Sequence, residues 1–338
     1  MKSIAFGIIG TGIIAKVHAR SLKAIEGSHL AAVYNPHPGK AKAFAEEYNC
    51  KGFEDFDSFF SSVDAVIVAT PSGDHLEGAL AAINAHKPVL VEKPLEVTLE
   101  RADRIIRAAE ENDVLLAGVF HSRFFELSGI IKRTIDSGRL GKIALADAYI
   151  KWYRSQEYYD SALWRGTWDK DGGGILMNQG IHAVDLLRWF MGPVKSVGGI
   201  IRTIGHERIE VEDTAAATLE FENGALGVIE GTTSSYPGYK KKIEIYGSEG
   251  SIVMEENYLT AWDMKNPTKE DEVIVEKYLN KRDEKEDGHM KELEAFAENI
   301  RSGTRPMIDG REARKAIELI EAIYKSSRED GRRISLPL

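Results

Sequence analysis

At 338 residues the chain exceeds what one ordinary hydrophobic core supports, so two domains are expected. Its 43% hydrophobic and 29% charged content is globular, and a formal net charge of −9 argues against a nucleic-acid partner, which would need a basic face. The single cysteine, Cys50, excludes an intrachain disulfide; with no signal-peptide pattern and no apolar run near the ~18 residues of a membrane span, a cytoplasmic protein without a membrane partner is predicted.

Residues 4–9 form an Ile-rich apolar run. Gly10-Thr11-Gly12-Ile13-Ile14-Ala15 follows, and then a helical pattern over 16–26. A buried strand turning tightly into a helix has this form. The first glycine permits the turn, the second lets a pyrophosphate approach the backbone, and the small Ala15 lets helix and strand pack closely. Free N–H groups at the helix start favour phosphate. Gly10, Thr11, Gly12, Ile13 and Ile14 are therefore candidate cofactor-binding positions for a dinucleotide.

A second strand, 30–34, breaks at Asn35-Pro36-His37-Pro38-Gly39, and a helix follows over 40–48. Strand 63–69 leads into the loop Thr70-Pro71-Ser72-Gly73-Asp74-His75 and an Ala-rich helix over 76–86. Strand 88–92 is ended by Lys93-Pro94; helix 98–112, with Thr98 as N-cap, and strand 114–119 follow. This alternation predicts an α/β domain with a doubly wound parallel sheet over 1–122. Ligands in such sheets sit at the carboxyl ends of the strands, which are Gly10, Asn35, Thr70, Glu92 and His121.

The pattern then changes. A helix over 126–137 precedes a strand over 143–150 and an irregular stretch, 151–174, holding three of the five tryptophans. A helix is expected over 175–191. Strands follow without intervening helices at 215–221, 226–230 and 242–246, the first two joined by Glu222-Asn223-Gly224. Such a run implies a largely antiparallel sheet in a second domain, 123–338. The charge-dense residues 265–288 are expected as an exposed loop or edge, and 289–301 and 310–326 as closing helices.

Two stretches carry candidate chemistry. On one continuous helix, Asn178, His182 and Asp185 would share a polar face, spanning about 60° at 100° per residue. A histidine there suits a general base, because its unperturbed pKa of roughly 6.5 lies near working pH. Glu92-Lys93-Pro94 places charge at the end of a buried strand, and the proline holds Lys93 extended there. A lysine at that edge can stabilise a developing alkoxide. No second histidine sits at ligand spacing on the His182 helix, so no metal site is expected.

The ordered motifs Gly7-Ile8-Ile9-Gly10-Thr11-Gly12, Ala69-Thr70-Pro71 with His75, Glu92-Lys93-Pro94, Arg123-Phe124 and Gly172-Gly173-Gly174 with Gly180-Ile181-His182 and Asp185 span most of the chain. Together they resemble the Gfo/Idh/MocA oxidoreductases, the glucose–fructose oxidoreductase and inositol dehydrogenase group. The resemblance implies an N-terminal Rossmann domain and a C-terminal α+β domain with an open, mostly antiparallel sheet. It implies hydride transfer between NAD or NADP and a hydroxyl or keto carbon of a sugar, polyol or sugar nucleotide. Lys93 and His182 match the family's catalytic positions, and Thr70, Pro71, His75, Glu92 and Lys93 fall in its cofactor-binding motifs. A homodimer or homotetramer through the C-terminal sheet is also implied. Rival readings are a reductase of an anhydro sugar or non-sugar carbonyl, and a non-catalytic NAD(P)-binding regulator.

Two departures qualify the match. Asn178 stands where many members have aspartate, and an amide orients a hydroxyl without accepting its proton. Asn35 stands where the dinucleotide rule expects Asp or Glu; it can still bond a ribose hydroxyl and repels no phosphate, His37 and Lys40 nearby would favour NADP, and the expectation leans only slightly to NAD. The segments around Arg154, Arg165 and Asn178 resemble the branch acting on UDP-linked N-acetylated uronic acid sugars. Arg123, Arg154, Arg165, Asn178 and Asp185 are the candidate substrate-binding residues, the arginines being suited to carboxylate or phosphate.

Overall fold

The first apolar run forms strand β1 (Ile4–Ile9), buried except at Ala5. After it come α1 (Ile13–Leu22), β2 (Ser28–Tyr34), α2 (Lys40–Tyr48), β3 (Lys51–Phe53), α3 (Phe56–Ser61) and β4 (Ala65–Val68). Next are α4 (His75–Asn84), β5 (Val89–Val91), α5 (Leu99–Glu111) and β6 (Leu116–Gly118). This is a computed structural model describing residues 3–281 and 287–338. The strands pair in parallel in the order β3-β2-β1-β4-β5-β6. That is the doubly wound order, and its direction reverses between β1 and β4, where the crevice for a ligand opens. β4 and β5 are buried at every residue, as strands covered on both faces must be.

The remaining elements are α6 (Glu126–Asp136), β7 (Ile143–Lys151), α7 (Gln156–Asp160), α8 (Ile181–Met191), β8 (Val194–Arg202), β9 (Thr214–Phe221) and β10 (Leu226–Thr232). They continue with β11 (Lys242–Gly247), β12 (Gly250–Glu255), β13 (Tyr258–Met264), α9 (Lys269–Tyr278), α10 (Gly288–Ser302), α11 (Gly310–Arg328) and β14 (Ile334–Ser335). Eight strands form a second sheet, β13-β12-β11-β7-β10-β9-β8-β14, antiparallel except for the parallel β7–β10 pair. Its inner face buries Ala146, Ala148, Ile150, Ala217, Leu219 and Ile229, with α8 packed on β7 and β11. Its other face leaves Leu145 36% and Leu226 55% exposed.

The chain divides into two compact units, residues 1–121 with 287–314 and residues 122–286 with 315–338. The sequence expectation assigns all of 123–338 to the second domain. The difference has a local cause: Leu293, Phe296 and Ala297 of α10 join the core formed by Ala15, Ala19 and Leu22 of α1. Phe296 meets Phe6 of β1 with ring centroids 6.4 Å apart. An apolar stripe at helical spacing thus covers one face of the parallel sheet from far along the chain.

The expected loop 265–288 contains α9. Thr268 and Asp271 form a reciprocal capping box at its start, and Ile274 and Tyr278 are its buried side. Dense charge hid that short apolar period. The same expectation extends over 282–286, which lie outside the described residues.

Candidate functional site

In the first unit the glycine turn has the form a dinucleotide requires. Gly10 has φ +113, and a Cβ there would stand 2.5 Å from the carbonyl oxygen of Ala69. Only glycine fits that conformation in that space. A Cβ on Gly12 would meet nothing within 4 Å. Gly12 is also the N-cap of α1, with extended backbone and no side-chain cap, and the first turn holds no acidic residue. The free N–H groups of α1 therefore face a space that phosphate can fill. Ile13, 78% exposed, offers apolar surface beside the turn.

Asn35, 8% exposed, donates from Nδ2 to Thr11 Oγ1 at 2.9 Å and accepts the His37 N–H at 2.9 Å. It ties the end of β2 to the glycine turn. The loop after β4 is held by His75, 1% exposed, whose Nδ1 lies 2.8 Å from the Pro94 carbonyl and Nε2 3.1 Å from the Thr70 carbonyl. Burial lowers the His75 pKa against the opposing effect of Glu96. A neutral His75 has one N–H to donate to one of these two carbonyls, and its buried ring packs between the Thr70-Pro71 loop and the Lys93-Pro94 loop.

Glu92, 4% exposed, ends β5; its Oε1 is 2.7 Å from His18 Nε2 and its Oε2 accepts the Lys93 N–H at 3.1 Å. Burial raises its pKa, but the His18 hydrogen bond and the charges of His18, His289 and Lys93 outweigh that and hold it at about 2. An ionised Glu92 therefore anchors the peptide that carries the half-buried Lys93, whose bond to Pro94 is cis. His289, in the first turn of α10, completes a group with His18 and Glu92. These three positions are far apart in sequence, and no spacing rule could have revealed them.

In the second unit the expected continuous helix 175–191 is interrupted. Residues Ile175–Gln179 form a π-turn and Gly180 separates it from α8. The Gly180 N–H donates to the Ile175 carbonyl at 2.6 Å, closing a five-residue turn. The polar stripe is broken up as a result. Asn178 donates to Asp171, His182 stands half-buried in the first turn of α8, and Asp185 is fully buried against Arg123. Arg123 Nε donates to Asp185 Oδ2 at 2.7 Å, and both side chains are 1% exposed. The pair faces inward, each side chain satisfying the other away from solvent.

A polar network joins the irregular 151–171 stretch to the π-turn. Arg154 Nε donates to Gln179 Oε1 at 3.1 Å, and Gln179 Nε2 donates to the Tyr158 hydroxyl at 2.9 Å and to Asn178 Oδ1 at 2.8 Å. The guanidinium carbons of Arg154 and Arg165 lie 5.3 and 4.1 Å from the Tyr158 ring centroid. Two half-buried arginines, Tyr158 and the Gln179 amide thus gather around Asn178. Such a group can recognise an anionic, hydroxyl-rich ligand.

Behind the π-turn lies Glu212, 2% exposed, which the sequence reading missed. Its carboxylate accepts the N–H groups of Gly174 and Leu176, each at 2.9 Å, and the Tyr324 hydroxyl at 2.9 Å. A Cβ on Gly174 would stand 1.7 Å from the Glu212 carbonyl oxygen, so only glycine permits this close approach. A charged residue just ahead of a buried strand, Glu212-Asp213, was the available signal.

A doubly wound sheet with an open glycine turn, followed by a mostly antiparallel sheet domain with a polar histidine-bearing segment, fits an NAD-binding oxidoreductase. Residues 4–120 match the oxidoreductase family with NAD-binding Rossmann fold, and residues 130–253 match the GFO/IDH/MocA C-terminal domain. The chain belongs to the Gfo/Idh/MocA oxidoreductase family. It is 29% identical over 338 residues to myo-inositol 2-dehydrogenase of Thermotoga maritima, covering 98% of each chain. It is 28% identical to the NAD(+)-dependent scyllo-inositol 2-dehydrogenase of Bacillus subtilis, covering 95% of this chain and 93% of that one. It is 34% identical to the WlbA dehydrogenase of Bordetella pertussis, solved with NADH and UDP-GlcNAcA, with a TM-score of 0.91 over 100% of this chain and 99% of that one. No helix among the described residues is long and apolar enough to cross a membrane.

Proposed function

We propose that the protein oxidises a secondary alcohol on an anionic sugar, of the sugar-nucleotide uronate type, with Lys93 and His182 as its catalytic residues. The observation that carries the substrate class is the Arg154–Gln179–Tyr158–Arg165 group beside Asn178. Similarity to a dehydrogenase solved with NADH and UDP-GlcNAcA supports it. The inositol dehydrogenases among its relatives make a neutral polyol the rival substrate.

Gly10, Thr11, Gly12, Ile13 and Ile14 would hold NAD, with Asn35, Thr70, Pro71 and Glu92 shaping the surrounding loops, and the bound cofactor would supply the hydride acceptor. His182 takes the hydroxyl proton as general base, while Lys93 donates a hydrogen bond to the same oxygen and stabilises its developing charge. Asn178 orients the hydroxyl and accepts no proton. The carbinol carbon becomes a carbonyl; in reduction the proton returns from His182. Asn35 itself offers a 2′-phosphate no cationic group, but His37 and Lys40 follow it, so the lean to NAD over NADP is slight. A single half-buried cysteine fits a reducing, cytoplasmic setting.

Lys93→Met and His182→Ala should each lower kcat on the order of 10²-fold or more with NADH affinity nearly unchanged. Near-wild-type turnover in both sinks the catalytic assignment. A screen of UDP-linked uronates, neutral sugars and inositols tests the substrate, and turnover confined to inositols overturns the anionic class. The exposed Leu145 and Leu226 on the outer face of the second sheet support a homodimer or homotetramer built on that face. Light scattering that finds only monomer removes this part of the proposal.

A further inference from the structure

We propose that His18, Glu92 and His289 form a binding site for a borderline divalent cation of the Zn2+ class. Each residue offers one ligand atom, and these atoms lie within 4.8 Å of one another. Zinc bonds of about 2.0–2.2 Å place tetrahedral ligand atoms roughly 3.4 Å apart, so side-chain rotations on the scale of an ångström close the set. Within it, the 2.7 Å contact of His18 Nε2 with Glu92 Oε1 opens slightly, and the proton in that hydrogen bond leaves to solvent as the cation enters.

The donor chemistry is selective. Two imidazoles with one carboxylate suit zinc, cobalt or nickel, whereas magnesium and calcium prefer oxygen alone. The site is also built in. His18 is fully buried, Glu92 is 4% exposed, and the more accessible His289 gives the entry side. The His289 ring is held between its neighbours, stacked on His121 at 4.0 Å between centroids and edge-on to His18 at 5.5 Å. His18 Nδ1 and His289 Nδ1 are buried with no hydrogen-bond partner. Buried polar atoms without partners are uncommon, and this cluster holds two of them. Three protein ligands leave one coordination position for water. Because Glu92 Oε2 also accepts the Lys93 N–H at 3.1 Å, a cation bound here sits on the peptide that carries Lys93.

The test uses the full-length, untagged protein after chelator dialysis, titrated with Co2+ and then Zn2+. One Co2+ per chain, with visible ligand-field bands of low coordination number, is expected, and Zn2+ should abolish the bands stoichiometrically. His289→Asn should weaken Co2+ binding at least tenfold with unchanged far-UV circular dichroism. His289→Cys should restore binding and add a thiolate-to-cobalt charge-transfer band, a signature that a purely structural histidine would not give. No Co2+ bands in the wild-type protein, or equal binding in His289→Asn, overturns the proposal. These readouts do not depend on substrate turnover, so they stand apart from the fate of the dehydrogenase assignment.

Discussion

Arg123 and Asp185 form a bidentate ion pair sealed from solvent, with Nε donating to Oδ2 at 2.7 Å and Nη2 to Oδ1 at 2.5 Å. The pair fastens α8, which carries His182 in its first turn, to the segment before α6. The Arg123 guanidinium also lies 5.3 Å from the Trp189 ring centroid, so it is held on two sides. A charge so placed has no water to return to when its partner is removed. Asp185→Ala should therefore cost about 3–5 kcal/mol in stability. Urea unfolding checks this. A variant of normal stability but raised KM would return Asp185 to the substrate.

The two glycines of the first turn should respond oppositely to the same methyl group. Gly10→Ala forces a Cβ to 2.5 Å from the Ala69 carbonyl at φ +113, so folding should suffer. Gly12→Ala has room, with nothing within 4 Å, and a φ of −74 that alanine adopts. Its methyl group occupies the space a pyrophosphate would take. Thermal melts should show a large loss for Gly10→Ala and little change for Gly12→Ala. NADH titration should show weakened binding in Gly12→Ala, and unchanged affinity there would count against the phosphate cradle.

Much of this architecture was legible where structure is local. The run from Ile4 to Ala15 encodes a strand, a turn and a helix through adjacent residues, and the structure has β1 and α1 there. The hairpin at Glu222-Asn223-Gly224 joins β9 to β10 for the same reason, with Gly224 at φ +84. The polar stripe of Asn178, His182 and Asp185 failed because one hydrogen bond, Gly180 N–H to the Ile175 carbonyl, widens the turn and resets the helical phase. Arg123 with Asp185, and His18 with Glu92 and His289, are pairings across long sequence separations. No periodicity records them. The irregular stretch at 151–171 is set by side-chain bonds such as Gln179 with Tyr158, and its chemistry was visible only as a list of suitable residue types.

Glu212 should make stability depend on pH in an unusual direction. Burial pushes its carboxyl up to about 7 from an ordinary 4.5, although the N–H groups of Leu176 and Gly174 and the Tyr324 hydroxyl pull it down. The folded chain therefore binds this proton more tightly than the unfolded chain. Stability from this group is fully present below pH 4.5 and is lost as pH rises through 7. The shift corresponds to about 3 kcal/mol. Other groups act in the same range: His75, whose pKa burial lowers, favours the folded state as pH rises through its unfolded value. Glu212→Gln keeps those groups and removes only the titrating carboxyl. The stability of wild type minus that of Glu212→Gln should thus fall by about 2–3 kcal/mol between pH 5 and pH 8. Urea midpoints of both proteins across that range provide the measurement, and a pH-independent difference would show that Glu212 does not titrate there. Since Glu212 grips the amides of Gly174 and Leu176 at the start of the π-turn, its ionisation loads charge directly behind Asn178. A shift of KM with the same midpoint, absent in Glu212→Gln, would tie this carboxyl to the shape of the substrate pocket.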